Sequence, residues 1–285
     1  MKTLAEAGLP AQVPRPHGRF SRPARFVRYF RTPKGLLTLV YLMLFAVGGT
    51  GVGWTMALPH VTSAVLSASL VDVVMGRLIV RVWRWPTSAL LSGFTSAFVL
   101  SPNDPWGVSF AVGGMAVLSK YSLGRKGHVF NPAALALLVS IPLFSTGHSW
   151  WGSLGEVPLP WTAVPFASGL FIVDRLNKFP LVFGFLGSYF CFFVLAGLSA
   201  PTQVSEIFRA PFLQAALFAA FFMVTDPPTS PTRSVHQLWV GVLDGAVCCA
   251  SLLMGAGQAY LLLGVLAGNA AFALSKARGV RVNDQ

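Results

Sequence analysis

Long apolar runs separated by short polar turns dominate the chain and predict an all-α polytopic membrane protein. Ten runs of about 15 to 22 residues are long enough to be transmembrane helices, because a bilayer core of about 30 Å needs about 20 apolar residues. Several runs are short for that thickness, so their ends are placed approximately. In chain order the predicted spans cover residues 35–56, 58–76, 86–101, 105–120, 130–146, 159–173, 179–199, 210–225, 238–255 and 257–274.

Two polar segments interrupt this pattern and contain the candidate binding residues. The first, GHVFNPAALAL, places His128 and Asn131 just before an apolar run. Asn followed by Pro predicts a helix N-cap, and a helix N-terminus also suits an anionic or carbonyl-rich ligand. The second, FFMVTDPPTSPTR, places Thr225 and Asp226 before a proline cluster that cannot continue a helix. A rigid cytoplasmic turn remains an alternative for it, although its many hydroxyl and carboxyl groups favour a protein-lined cavity.

Composition and charge position support the membrane assignment and fix an orientation. Hydrophobic residues make up 54% of the chain and charged residues 11%, with a mean hydropathy of +0.64. The net charge of +12 could suggest nucleic acid, but the cations follow the predicted topology instead. With the N-terminus inside, every Lys and Arg except Arg209 lies on the cytoplasmic side. We therefore predict both termini in the cytoplasm of a multi-pass inner-membrane protein that binds no nucleic acid. The eight Trp residues all fall at predicted span ends, as an interfacial aromatic belt would.

One membrane domain is predicted, with a faint internal repeat. Residues 1–34 form a basic cytoplasmic arm, residues 35–275 the transmembrane domain, and residues 276–285 a cytoplasmic tail. SAFVLSPNDP resembles AAFFMVTDPP, and NPAALAL resembles NAAFAL. The first pair closes spans three and eight, which run in opposite directions. This predicts two inverted five-helix repeats, about 35–147 and 159–275, with a binding site where broken helices meet.

Two carboxylates inside predicted spans are candidates for ion transport. Each of Asp72 and Asp244 should cost about 2.5–3.5 kcal/mol on insertion scales if it lies centrally. Interface exposure is an equal alternative for Asp72, because Arg77 follows it closely. We therefore expect Asp244 to be the better candidate for binding a proton or a cation.

Other cofactor classes are disfavoured by what the sequence lacks. None of the five His residues lies in the middle of a predicted span, which argues against a transmembrane haem. The three Cys residues lack the spacing of an iron–sulfur cluster or a zinc site, so no metal site is predicted. No catalytic residue is assigned, and whether the protein is itself an enzyme stays open.

The motifs resemble those of the RnfD/NqrB family of membrane subunits in electron-transport complexes. The similar stretches run from Ser88 to Val139 and from Ala215 to Leu274, and they include FNPA and TDP-x-TSP in the same order and spacing. The opening RYFRTPKGLLTL and the short length are similar to compact RnfD-like proteins of enediyne-type clusters.

The resemblance implies a fold, a cofactor and partners. It implies ten helices in two inverted halves, similar to urea transporters, and flavin (FMN or riboflavin) as the redox group. Asn131 matches the FNPA asparagine beside a non-covalent flavin site, Thr225 and Asp226 match the TDP loop, and His128 stands where the family often has a polar residue. The family's SGAT motif, which carries covalent FMN, is absent here, so no covalent flavin is expected.

The sequence therefore predicts a membrane electron-transfer subunit with a non-covalent flavin or quinone-like cofactor, coupled to cation movement and working with partner redox subunits in the lipid bilayer. Two alternatives remain. The chain could be a non-redox channel for small solutes or ions on the same fold. It could also be an accessory subunit of a biosynthetic membrane complex.

Overall fold

A computed structural model describes residues 28–81, 83, 85–122 and 129–283, and these residues are almost entirely helical. They contain no named strand, only an isolated bridge between Leu100 and His148. Ten helices of nine or more residues occur in the described ranges, one at each predicted span. They are α1 (Pro33–Val52), α2 (Trp54–Met75), α3 (Thr87–Val99), α4 (Trp106–Ser122), α5 (Pro132–Phe144), α6 (Leu159–Leu176), α7 (Phe179–Ser199), α8 (Ala210–Phe218), α9 (Ser234–Leu253) and α10 (Tyr260–Asn283).

Five segments among the described residues are long and apolar enough to cross a membrane. They are Pro33–Val52, Trp54–Ile79, Phe179–Ser199, Ser234–Leu253 and Gly257–Ala277. Most of the remaining helices are shorter, with 13 residues in α3 and in α5. The all-α prediction is thus confirmed, and five of the predicted spans have the length and composition that spanning requires. That all ten helices cross the bilayer in two inverted halves remains a prediction.

Glycines bring the second and fourth helices of each predicted half into close contact. In the first half, a Cβ on Gly113 of α4 would overlap the backbone of Ala64 in α2. In the second half, a Cβ on Gly241 of α9 would overlap the backbone of Leu181 in α7. Membrane helices gain little from hydrophobic burial against each other, so close backbone packing at small residues is a main source of their association.

A cluster of aromatic side chains fills the space between α1, α3 and α8. Tyr41 lies 5.6 Å from Phe98 and 5.7 Å from Phe222 between ring centroids, and its hydroxyl lies 2.9 Å from the Thr95 hydroxyl. Phe98 in turn packs edge-on against Trp151 at 5.1 Å. These rings are buried, so the centre of the molecule is a packed core.

The tryptophan prediction is wrong for two of the eight residues. Trp150 and Trp151 are each only 3% exposed and belong to the core. The indole Nε1 of Trp151 donates to the Ala97 carbonyl at 2.8 Å, so its polar edge is satisfied by protein and not by the membrane interface. The other six remain at least partly exposed near helix ends, as the belt requires; Trp85 is the most exposed of them.

Candidate functional site

The end of α8 is irregular and buried, as its sequence predicts. After Phe218 the helix continues as π-helical turns over Ala219–Val224 and then stops at Thr225. The Thr225 hydroxyl donates to the Phe221 carbonyl at 2.6 Å, and the backbone N–H of Asp226 donates to the Met223 carbonyl at 3.4 Å. π-Helical turns within helices often occur at functional sites, because they redirect backbone groups that a regular helix would use internally.

Asp226 organises the turn that follows α8. Its carbonyl accepts from the Thr229 N–H at 3.1 Å and from the Ser230 hydroxyl at 2.8 Å. Its carboxylate Oδ2 accepts from the Thr229 hydroxyl at 3.2 Å. Asp226 is half-buried, whereas Pro227 and Pro228 are exposed. The hydroxyl groups of the TDPPTSP segment therefore serve first to fix the backbone of this turn.

Asn131 joins the start of α5 to the end of α8. Its Oδ1 accepts from the Ala134 N–H at 3.1 Å, which confirms the predicted N-cap, and its Nδ2 donates to the Met223 carbonyl at 3.2 Å. The backbone N–H of Asp226 donates to the same carbonyl oxygen. The Asn131 Nδ2 and the Asp226 backbone nitrogen are therefore no farther apart than two hydrogen-bond lengths. The two polar interruptions thus meet in space.

Asn269 is a third member of this site that the sequence analysis did not assign. Its Oδ1 accepts from the backbone N–H of Asn131 at 2.7 Å, and its Nδ2 donates to the Thr229 carbonyl at 3.2 Å. Both asparagines are buried. We call the group formed by Asn131, Met223, Thr229 and Asn269 the asparagine node. The sequence signal that points to Asn269 is the resemblance of NAAFAL to NPAALAL, because Asn269 and Asn131 are the first residues of these two segments.

Lys178 and Gln237 hold the turn after α8 against the α6–α7 connection, and both were missed. The Lys178 ammonium, only 4% exposed, donates to the carbonyls of Ser230 and Pro231. The Gln237 amide donates to the carbonyls of Asn177 at 3.2 Å and Thr232 at 3.1 Å. A single Lys in a polar loop has no distinctive sequence pattern, so only the structure reveals this contact.

Burial is the main influence on the pKa of the Lys178 ammonium group. It lowers the pKa of the ammonium group below its usual value, while the nearby carboxylate of Asp226 opposes the shift. The carboxylate of the TDP motif therefore acts through its charge on a buried cation that binds the same turn.

The two predicted ion-transport residues lie in different surroundings. The Asp72 carboxylate is half-buried and accepts from the Tyr121 hydroxyl at 3.0 Å, across the α2–α4 contact. Asp244 is 2% exposed within α9, and its Oδ1 has no hydrogen-bond partner among the described residues. The carboxylate of Asp244 packs directly on Gly268, the residue before Asn269. His128, the remaining predicted contact, lies outside the described residues.

Comparison with known proteins agrees with the predicted resemblance. Residues 146–276 match the NQR2, RnfD, RnfE family, whose members are membrane subunits of electron-transport complexes. The similarity to RnfD/NqrB proteins is thereby confirmed over this range, which includes Thr225 and Asp226, whereas Asn131 precedes it. No curated protein matches the chain. The match and the long apolar helices together support a multi-pass membrane protein.

Proposed function

We propose that the protein is a membrane electron-transfer subunit that holds a non-covalent flavin or quinone-like cofactor beside the asparagine node and the TDP turn. The proposal is supported by the hydrogen bond from Asn131 Nδ2 to the Met223 carbonyl at the end of α8. This bond brings the Asn131 amide close to Asp226, so a donor and a carboxylate acceptor lie near each other. The family match, to subunits of electron-transport complexes, supports the redox class. A bound flavin or quinone would supply the redox chemistry itself.

The donors and acceptors at the site fit a ring with carbonyl groups. The Asn131 amide uses one N–H and one lone pair inside the protein, which leaves one of each for a ligand. That N–H would donate to a ring carbonyl. The Asp226 carboxylate would accept from a ring N–H, such as that of a flavin pyrimidine ring. Lys178 would keep the carboxylate and any reduced, negatively charged ligand compensated.

The TDP turn would orient these groups before a ligand binds. Thr225, Thr229 and Ser230 hold the backbone on both sides of Asp226 through hydrogen bonds, so the carboxylate needs little rearrangement to accept a ligand. Preorganised polar groups bind more tightly because their ordering cost is met on folding.

The same proposal includes the inverted repeat and the cytoplasmic position of the site. Gly113 and Gly241 each lie seven residues after the first residue of their helices, α4 and α9, and each makes the close approach to the second helix of its half. The polar break after α8 has a counterpart after α3, where Ser101 and Gly147 pair through their backbones at 2.9 Å. With the charge-derived orientation, the asparagine node faces the cytoplasm.

The channel alternative is less well supported. A pore between the two halves would need a continuous polar path. The described core between α1, α3 and α8 is instead filled by Tyr41, Phe98, Phe218 and Phe222. The accessory-subunit alternative differs from the proposal only in lacking a cofactor, and the cytoplasmic-membrane partner subunits would be expected in either case.

Cofactor retention by purified protein tests the proposal. Flavin is measured by absorbance, and quinone by solvent extraction and chromatography. Asp226→Asn should weaken retention about 10- to 150-fold, because it removes a charge-assisted hydrogen bond of about 1.5–3 kcal/mol. Asp174→Asn, at an exposed position, is the matched control and should retain the cofactor. Wild-type protein that carries neither group, or equal retention by both variants, would contradict the proposal.

A further inference from the structure

Asp244 is a buried carboxyl group that the cofactor site does not use. It lies in the middle of α9, is 2% exposed, and its Oδ1 has no hydrogen-bond partner among the described residues. An isolated ionised carboxylate is very costly in such a place, and a group so placed takes up a proton unless a cation or donors compensate it.

The backbone N–H of Gly268 is directed at the Asp244 carboxylate, but no positively charged side chain of the described residues pairs with it. From α10, Gly268 packs against the carboxylate and Gly264 packs against the Asp244 backbone and the Cys248 sulfur. The titratable groups nearby are thiols and phenols: Cys248 and Cys249 on α9, Tyr189 on α7, and Tyr260 at the start of α10. Asp244 takes part in no ion pair with the described residues.

A metal cation is also poorly matched to this environment. Sodium and similar hard cations need several oxygen ligands around them. The described residues contain no cluster of three or more His, Cys, Asp or Glu side chains that could hold a metal ion. Gly268 packs against the carboxylate instead, and it has no side-chain oxygen that could replace part of a cation's hydration shell.

We propose that Asp244 is a proton-binding site, protonated in the closed structure, and that loss of its proton opens the contact between α9 and α10. The Oδ1 atom of an ionised Asp244 would need water or a donor beyond the Gly268 N–H, and even a Cβ atom at Gly268 would overlap that oxygen, so the two helices must separate to admit either. This inference does not depend on the cofactor proposed above.

The same movement would reach the asparagine node. Gly268 precedes Asn269, whose side chain binds the Asn131 N–H and the Thr229 carbonyl. A shift of α10 at Gly268 therefore displaces the residue that joins α5 to the TDP turn. This contiguous contact gives proton binding at Asp244 a direct mechanical route to the candidate cofactor site.

Infrared spectroscopy of the purified protein tests the protonation directly. The infrared difference spectrum, wild type minus Asp244→Asn, should show the carbonyl band of one protonated carboxylic acid at neutral pH. That band should shift in D₂O. Asp72→Asn, which changes a half-buried carboxylate bound by Tyr121, is the matched control and should keep the band. Added Na⁺ at constant pH should leave it unchanged. Absence of the band from wild type, or its loss on adding Na⁺, would overturn the proposal in favour of an ionised or cation-binding carboxylate.

Cys248 reports the opening step, because it is fully buried one helical turn after Asp244. In a Cys191→Ser, Cys249→Ser background, a small methanethiosulfonate reagent would modify Cys248 alone. The modification rate of Cys248 should rise more steeply with pH when Asp244 is present than in the Asp244→Asn variant. The variant gives the part of the pH dependence that comes from ionisation of the thiol itself. Equal pH dependence in the two proteins would refute the coupling, even if the infrared band is present. Cofactor content enters neither measurement, so failure here is separate from failure of the proposed function.

Discussion

Replacing Asn269 with Ala should destabilise the contact between α10, α5 and the TDP turn. The change removes an acceptor for the Asn131 N–H at 2.7 Å and a donor to the Thr229 carbonyl at 3.2 Å. Asn269 and Thr229 are buried, so water does not readily replace the lost partners. Hydrogen bonds between membrane helices average about 0.6 kcal/mol and reach about 1.7 kcal/mol. Two bonds of this kind give an expected loss of about 1–3 kcal/mol in the free energy of unfolding.

Equilibrium unfolding by SDS in mixed micelles would measure this loss. Asn103→Ala, at an exposed position in the turn after α3, is the control and should change stability by less than about 0.5 kcal/mol. Because Asn269 also holds Asn131 in place, the Asn269→Ala variant should lose cofactor as well as stability. Equal stability of the two variants would refute the claim that Asn269 joins these elements.

Three further predictions concern other parts of the molecule. Burial lowers the pKa of His148 to about 4, so the unfolded state binds more protons below pH 6.5, and stability should fall by about 3 kcal/mol as the pH drops to about 4. In His148→Gln, pH-dependent thermal unfolding should lack most of that decrease; an unchanged profile would contradict this assignment. Lys178→Met should increase tryptic cleavage after Arg233 by roughly 5- to 150-fold, because about 1–3 kcal/mol of hydrogen bonding to the turn is lost. Lys276→Met, at an exposed site, is its control, and equal cleavage rates would show that the contact does not hold the turn. Denatured protein on a gel should show no flavin fluorescence, since no SGAT sequence occurs, and a fluorescent band at 30.5 kDa would reveal another attachment site.

The helical class and the positions of the helices could be predicted from the sequence, because hydrophobic run length is a strong signal. The N-cap role of Asn131 was also predictable, since Asn before Pro is a local pattern. The break at Thr225 followed from the proline cluster for the same reason. Each of these features depends on residues close together in the chain.

The partners of those residues could not be predicted in the same way. Asn269 lies 138 residues from Asn131, and the contact depends on how α10 packs against α5. Lys178 lies 53 residues from Pro231 and looks like one more cytoplasmic cation under the positive-inside rule. Trp150 and Trp151 fall at predicted span ends, yet they fold into the core because the loop that carries them packs inward. Long-range packing decided all three cases.

A cryo-electron microscopy map of the protein, purified without depleting bound small molecules, would show whether a cofactor lies between the two polar segments. We expect density for a planar ring in contact with both the Asn131 amide and the Asp226 carboxylate. No covalent link from that ring to the chain is expected. Density for a redox ring elsewhere in the protein, with Asn131 and Asp226 contacting protein groups alone, would contradict the proposed site.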